Sequence, residues 1–481
     1  AIIGLPANVF FGTGIPTIVL VLKQKRENTD VLIVDASKHF IKEGKNNKLQ
    51  ASDIKRITDA FINRENNNKF SKVVSKQTIR ENDYNLNIPR YVDSSAAAES
   101  WDLHATMLGG IPNSEISQLI NYWQAFPELH EALFKPKSSN YSELAIVKGS
   151  VKNTITDHQQ VKSFIASYNQ AFCGFDDYLN STLVQGWEAV NRNQQEAQLC
   201  VELFKRLAPI ELIDKYQAYQ YLNNQWQIIG ADLEMMQTEG FDATKQVDPN
   251  MVIKKKSGKD TEVQDGWKGR IMPFDLAQKT FLNEDVQALT QQESRLAEIT
   301  TLFEDILNSF PEDEKEADTV KETKDGFVNS EVTKEAKTLI KDVKLKGTFA
   351  PESYEAKIIK VAELIEEDKR LKKAFKEATI ALHLKTKTLI EGLSIEQVRE
   401  LLILKWVQPL CTQLKSMPST IVHLLSTKVQ DLADKYFMTY SQVAKDIRIS
   451  EQELSIMSSQ LTGDDFDMQG IEELTELLKG E

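Results

Sequence analysis

Few residues in this sequence stand at spacings that perform chemistry by themselves. It contains no Gly-x-x-x-x-Gly-Lys-Ser/Thr phosphate loop, no Gly-x-Ser-x-Gly elbow and no His-Glu-x-x-His pair. No Asn-Pro-Pro-aromatic or Asp-Pro-Pro-aromatic tetrad occurs either. Gly12-Thr13-Gly14 is too short for a dinucleotide fingerprint and reads as a tight backbone turn before a strand. Glu366-Glu367-Asp368 reads as a solvated helix face rather than a metal site. The 6 histidines are scattered, and the 3 cysteines, Cys173, Cys200 and Cys411, have no Cys-x-x-Cys spacing. That usage predicts neither a zinc knuckle nor a disulfide framework, and fits a reducing, cytoplasmic compartment. What remains is contact chemistry. Lys254-Lys255-Lys256, with Lys259, Trp267, Lys268 and Arg270, is a basic–aromatic patch able to meet DNA phosphates, which position a protein without reading sequence. A solvated hairpin is the other reading. Asn85, Asn87 and Arg90 form a polar cluster that could touch a DNA phosphate or a partner subunit, although Asn-rich turns also bond to their own backbone.

The elements that must position these residues follow from apolar spacing. The run 16–22, Pro16-Thr17-Ile18-Val19-Leu20-Val21-Leu22, predicts a strand covered on both faces, and Val31-Leu32-Ile33-Val34 a second. The link between them, residues 23–29, is too short for a parallel crossover and predicts that the two pair antiparallel. A helix is expected over Ala51 to Asn63, then a polar turn over residues 81–85. Beyond residue 96 strands thin out, and residues 115–135, 158–172, 176–206, 210–236 and 286–309 carry helical periodicity. Residues 251–263 predict a hairpin on a Gly-containing turn. The acidic, apolar-poor stretch 311–325 predicts a mobile linker. From 351 the chain reads as helical almost to its end. Ile421, Leu425, Val429, Leu432, Tyr436, Tyr440, Val443, Ile447, Leu454, Met457 and Leu461 recur at spacings of mostly four and three, with a stutter near Tyr436–Tyr440 and Ser450 in one slot. This predicts a coiled-coil seam over 420–461, about 60 Å long at 1.5 Å per residue. The alternative is an internal helical hairpin packed on residues 351–410.

At 481 residues the chain has room for about three domains. Its divisions are expected at 1–95, 96–345 and 346–481. With 58 basic against 71 acidic side chains the net charge is −13, which argues against coating nucleic acid by charge alone. The charge is uneven, however: residues 1–95 carry a net of +5 and the remainder −18. No apolar run approaches the roughly 18–20 residues that span a bilayer, so no membrane partner is expected. The apolar, strand-like opening at Ala1-Ile2-Ile3, without a polar lead-in, reads as a domain entered midway and hence as the C-terminal piece of a longer protein.

The opening Ile3-Gly4-Leu5-Pro6-Ala7-Asn8-Val9-Phe10-Phe11-Gly12-Thr13-Gly14-Ile15-Pro16-Thr17, the two strands, Asp35-Ala36-Ser37, and then Asn82-Asp83-Tyr84-Asn85-Leu86-Asn87-Ile88-Pro89-Arg90-Tyr91-Val92 occur in that order. This series closely resembles the end of the methyltransferase domain in modification subunits of type I restriction–modification systems, over about the first 95 residues. The stretches around Lys254–Phe274 and Thr462–Leu478 resemble the long C-terminal extension of some members. The resemblance implies transfer of a methyl group from S-adenosylmethionine to the exocyclic amino group of adenine in DNA. It implies, as partners, DNA, a specificity subunit, a restriction subunit and a second modification subunit. It also implies an aromatic residue facing a flipped adenine, for which Phe10 and Phe11 beside the glycine turn are the candidates; either could instead be core. The family's Gly-rich cofactor loop and its Asn-Pro-Pro-aromatic tetrad are missing from these residues, so the chain alone is expected to be inactive. The expected fold is an α/β remnant, the last strands of a Rossmann-like methyltransferase sheet, followed by a mainly α-helical extension ending in a coiled-coil helix. Ile421, Leu425, Leu432, Val443 and Leu454 are the expected subunit-docking residues. The rival is a non-catalytic helical scaffold that retains a vestige of the methyltransferase sheet. A coiled-coil adaptor unrelated to DNA would require the resemblance to be accidental.

Overall fold

The computed structural model describes residues 1–10, 12, 14–95, 101–256 and 259–479. In chain order the strands are β1 (Ile2–Leu5), β2 (Thr17–Leu20), β3 (Val31–Asp35), β4 (Ile41–Glu43), β5 (Asn46–Lys48), β6 (Ser71–Val74), β7 (Ile111–Pro112), β8 (Phe134–Pro136), β9 (Tyr141–Leu144), β10 (Val247–Lys256) and β11 (Lys259–Gly269). The longer helices are α1 (Ala51–Asn63), α2 (Arg192–Leu207), α3 (Lys215–Glu239), α4 (Asn283–Asn308), α5 (Asn329–Lys346), α6 (Tyr354–Glu391), α7 (Gln408–Lys435), α8 (Tyr440–Ser458) and α9 (Asp465–Lys479). The protein is thus mostly helical, with small sheets. It forms two compact units: Ala1–Leu179, Val190–Ile228 and Pro409–Glu481 make the first, Asn180–Ala189 and Ile229–Gln408 the second. These limits differ from divisions at 95/96 and 345/346, because distant segments share cores that no local composition marks.

In the first unit β1, β2, β3 and β6 form one sheet in the order β2-β1-β3-β6. β1 lies parallel to β3 and antiparallel to β2, and β3 antiparallel to β6. β2 and β3 therefore run in opposite directions but are not neighbours, contrary to the short-link expectation: β1, fully buried along Ile2–Leu5, takes the place between them. β3 is covered on both faces as expected, but β2 is an edge strand with Ile18, Val19 and Leu20 exposed. An apolar run records the capacity to be buried; its place in the strand order decides whether it is.

α1 starts on a reciprocal cap, the Gln50 backbone N–H donating to the Asp53 carboxylate at 2.8 Å, and ends at Arg64 in the left-handed region. It joins the sheet to the helices behind it. Ser52 N–H donates to Gln220 Oε1 at 2.9 Å, and Arg56 pairs with Asp214 while its guanidinium lies 4.6 Å from the Tyr216 ring centroid. A second core gathers Ile111, Ile116, Leu119, Trp123, Phe126, Leu129, Leu133 and Ile155 with Val422, Leu425, Val429 and Tyr436 of the C-terminal region. The first half of the 420–461 seam is thereby internal, and its partner is residues 105–165 rather than 351–410. The seam is not one helix either. α7 ends at Lys435 and α8 begins at Tyr440, capped by Thr439, whose hydroxyl accepts from Gln442 N–H at 3.1 Å.

In the second unit α4, α5 and α6 pack around Leu307, Phe310, Val320, Phe327, Val332, Ile358 and Val361. Residues 311–325 are folded, not a linker: Val320 and Phe327 are buried and bridge each other, and the Thr319 and Tyr354 hydroxyls lie 2.8 Å apart. Two apolar side chains suffice to anchor a stretch whose average composition is polar.

Candidate functional site

The parallel pair β1–β3 creates the one position where open sheets of this kind present loops for chemistry, the carboxyl ends of their strands. The loop leaving β1 is stitched down at its start: the Asn8 carbonyl accepts from Asn47 N–H at 3.0 Å and the Ala7 carbonyl from Asn47 Nδ2 at 2.8 Å. Asn8 sits at φ 56° and Gly12 at φ 81°, the latter a value that suits glycine. Phe10 projects 53% exposed from this loop, so it is not core. Phe11 lies outside the described residues.

β3 ends at Asp35, buried, whose carboxylate accepts from Ser37 N–H at 3.0 Å and from the Ser94 hydroxyl at 2.5 Å. Burial alone would raise this carboxyl; the Ser94 and Ser37 hydrogen bonds outweigh it and hold the group below its ordinary range. The Ser94 hydrogen bond fastens the segment 82–95 over the strand ends. On the same side a Cβ at Gly4 would stand 2.7 Å from Ile88 Cδ1, so the Ile88–Arg90 turn presses onto β1 where there is no side chain. Tyr91 and Val92 are buried with Ile33, Val74 and Ile79. Within this closing segment the Asn85 side chain accepts from Asn87 N–H at 2.9 Å, and its carbonyl accepts from the Tyr91 hydroxyl at 2.5 Å. Asn85 thus serves its own turn, while Asn87 and Arg90 remain exposed. Asp35, the residue that ties these motifs together, opens the Asp35-Ala36-Ser37 motif, but its partner lies 59 positions away.

His39 lies close by, its Nδ1 3.7 Å from Asp53 and its ring edge-on to Phe70. Burial, then the Arg56 charge, pushes the imidazole below its ordinary value against the pull of Asp53. The three thiols are unbridged, and burial pushes Cys200 and Cys411 up to about 11, leaving them poor nucleophiles at neutral pH. Among the described residues no group of three or more His, Cys, Asp or Glu side chains could hold a metal ion, and no helix is long and apolar enough to cross a membrane. Among the described residues the strand ends do not fit S-adenosylmethionine: β1 runs into Pro6-Ala7-Asn8 rather than into a helix, and the buried Asp35 carboxylate is already engaged by Ser37 and Ser94.

The hairpin β10–β11 belongs to the second unit, and several of its basic side chains have acidic partners. Lys254 pairs with Asp265 at 3.3 Å, Lys255 stands opposite Asp260, and Arg270 is held by Asp248 at 2.7 Å and by Glu239. Lys256, at the tip, has its side chain outside the described residues. The hairpin is instead docked on α6: Trp267 N–H donates to His383 Nε2 at 2.8 Å, and Lys387 Nζ lies 3.5 Å from the Trp267 ring centroid. Gly266, at φ 76°, lets His383 approach to where a Cβ would be 2.7 Å away.

The docking residues divide. Leu425 is fully buried, and Ile421 and Leu432 pack against the same core, whereas Val443 and Leu454 are exposed, as are Phe437, Ile447 and Met457. At the turning point Glu115, buried, accepts from Lys435 at 2.9 Å and from the Tyr436 hydroxyl at 2.5 Å. This triad was not visible in the spacing of the seam. Its Glu115 and Lys435 line a cleft of about 710 Å³ together with Trp101, Leu119, Lys428 and Leu432.

Residues 1–100 match the family N-6 DNA Methylase. The chain is 39% identical over 104 residues to the type I restriction enzyme MpnII methylase subunit of Mycoplasma pneumoniae, covering 21% of this chain and 19% of that protein. It is 37% identical over 109 residues, with the same coverage, to the type I restriction enzyme MjaVII methylase subunit of Methanocaldococcus jannaschii. A crystal structure of a type I restriction-modification system methyltransferase subunit from Streptococcus thermophilus is 51% identical over 20% of each chain, with a TM-score of 0.19. The chain spans about a fifth of the length of the curated relatives it matches. The resemblance carried by the motifs of residues 1–92 is thus repeated in the sequence comparisons: residues 1–100 are similar to the N-6 DNA methylase family and to type I restriction enzyme methylase subunits.

Proposed function

We propose that this chain is the C-terminal portion of the modification subunit of a type I restriction–modification enzyme, whose full-length form transfers a methyl group from S-adenosylmethionine to adenine in DNA. The observation that carries the reading is the ordered set of motifs in residues 1–92, assembled around the ends of β1 and β3 with Phe10 exposed beside them. The exposed apolar side chains of edge strand β2, Ile18, Val19 and Leu20, on both faces of the sheet, suit a sheet continued and covered by further methyltransferase structure. In this reading Phe10 or Phe11 offers a stacking face to a flipped adenine, and Asn87 and Arg90 face DNA or a partner. The segment 1–95 is the end of a Rossmann-like catalytic domain. The chain by itself supplies contact and assembly rather than methyl transfer, since it lacks the cofactor loop and the Asn-Pro-Pro-aromatic tetrad.

The specificity subunit docks on the exposed half of the C-terminal seam, with Val443 and Leu454 at its centre; the second modification subunit and the restriction subunit join that assembly. Ile421, Leu425 and Leu432 keep α7 in place beneath it. Co-purification of the full chain with a type I specificity subunit tests this. A V443D/L454D double variant, changed only at exposed positions, is expected to lose the partner while unfolding like the wild type. Retention of the partner by that variant would refute the docking assignment. A non-catalytic scaffold is favoured by one observation, that four-fifths of the chain lies outside the matched segment. A Gly-rich strand–loop–helix and an Asn-Pro-Pro-aromatic tetrad encoded upstream in the same reading frame would decide against it.

A further inference from the structure

Besides the lysines of the hairpin, the acidic part of the chain contains a second concentrated run of basic residues. Lys369-Arg370-Leu371-Lys372-Lys373-Ala374-Phe375-Lys376 places five basic side chains in eight residues, midway along the 38-residue helix α6. Leu364 and Leu382 on that helix are buried, and Leu371, Phe375 and Ala378 are half-buried, which fixes its inward face. At 3.6 residues per turn Lys369, Lys373 and Lys376 fall in line on the opposite face, spanning about 10 Å, with Arg370 and Lys372 flanking them.

The charges are neutralised in part: Lys372 pairs with Asp368 at 2.8 Å, Lys373 with Glu377 at 3.9 Å, and the Arg370 charge acts on the Glu367 carboxylate, while among the described residues no ion pair within 4.0 Å engages Lys369 or Lys376. α4 runs antiparallel beside α6, pinned by Arg295 to Glu367 at 2.8 Å and by Asp285 to Lys385 at 2.6 Å. Between those pins α4 reads Val286-Gln287-Ala288-Leu289-Thr290-Gln291-Gln292-Glu293-Ser294, with Glu293 its one charge. Protein interfaces centre on exposed apolar groups, yet no large apolar side chain is exposed along α6 from Tyr354 to Thr379; the first is Ile380. A linear set of cations on a rigid rod, without an apolar centre, matches a polyanion.

We propose that this face of α6 binds duplex DNA through its phosphates, fixing position without reading sequence. The choice of DNA over an acidic protein rests on the proposed function, because the same chain carries an N-6 DNA methylase segment. The assignment adds α6 to the hairpin, where Lys254 and Arg270 have acidic partners, as a place for phosphate binding in this unit.

The test measures affinity of the full chain for a random-sequence DNA duplex by fluorescence anisotropy over a salt series. The variant K369Q/R370Q/K373Q/K376Q changes only exposed side chains and keeps good helix formers, so circular dichroism should match the wild type. Affinity should fall about tenfold or more at moderate salt, and the slope of log K against log salt should shrink by roughly 0.9 for each phosphate that the variant no longer neutralises. A charge-matched control, K334Q/K337Q/K341Q/K360Q, should leave the slope near the wild-type value. Equal affinity and slope for the α6 variant, or no DNA binding by the wild type, overturns the proposal. So does α6-dependent binding of poly-glutamate in preference to DNA, which would name an acidic protein as the partner. DNA binding that depends on α6 in a chain that never captures a specificity subunit would sustain this inference and remove the docking reading instead.

Discussion

Asp35 joins two motifs that the sequence separates by 59 positions, and its ionisation should be felt in stability. Its carboxyl is held below the ordinary value of 3.8 in the folded protein, so the folded state favours the carboxylate. The stabilisation is complete above that ordinary value and is lost as pH falls through the lower, folded-state one. Replacing Asp35 by Asn should therefore cost about 1.5–3 kcal/mol at neutral pH, the range for hydrogen bonds to a charged group. The gap to wild type should close in strong acid, as thermal unfolding at the two pH values would record. Asn85, Arg90, Phe10 and the lysines of the hairpin were all legible as residues of interest, but their roles were not. Whether Lys254 is available depends on Asp265, eleven positions on and across a turn, and residue types alone do not contain that distance.

At the scale of elements, α7 and α8 share one apolar rhythm yet have opposite environments. Leu425 is fully buried and Leu454 is 44% exposed. Leu425→Ala should destabilise by about 2–5 kcal/mol through reduced burial and an unfilled cavity. Leu454→Ala should change stability by less than about 0.5 kcal/mol. Urea unfolding of the two variants separates the internal half of the seam from the half that awaits a partner; equal costs would contradict the division. The periodicity was readable because a helix face needs it whatever covers that face. The stutter near Tyr436–Tyr440 was readable as well, and the chain breaks there; that Glu115 holds Lys435 and Tyr436 at the break from more than 300 positions away was not. The same limit explains β2, whose apolar run is that of a central strand although it lies at the sheet edge.

For the whole molecule, the charge of −13 covers unlike parts, a basic first segment and an acidic remainder interrupted by the lysines of α6. On the proposed function, calorimetric titration of the chain with S-adenosylmethionine should give no binding heat; clear saturable binding would contradict the expectation that this chain alone does not hold the cofactor. The sequence by itself determined the positions of most helices, the buried strands β1 and β3, the hairpin and the kinship of the first hundred residues. These depend on local spacing, turn chemistry and ordered motifs, which adjacent residues carry together. Only the tertiary structure decided the strand order, the folding of residues 311–325, the two compact units and the pairing of charges on the hairpin. Each of those joins segments far apart in the chain, and is settled by which surfaces can be buried at the same time.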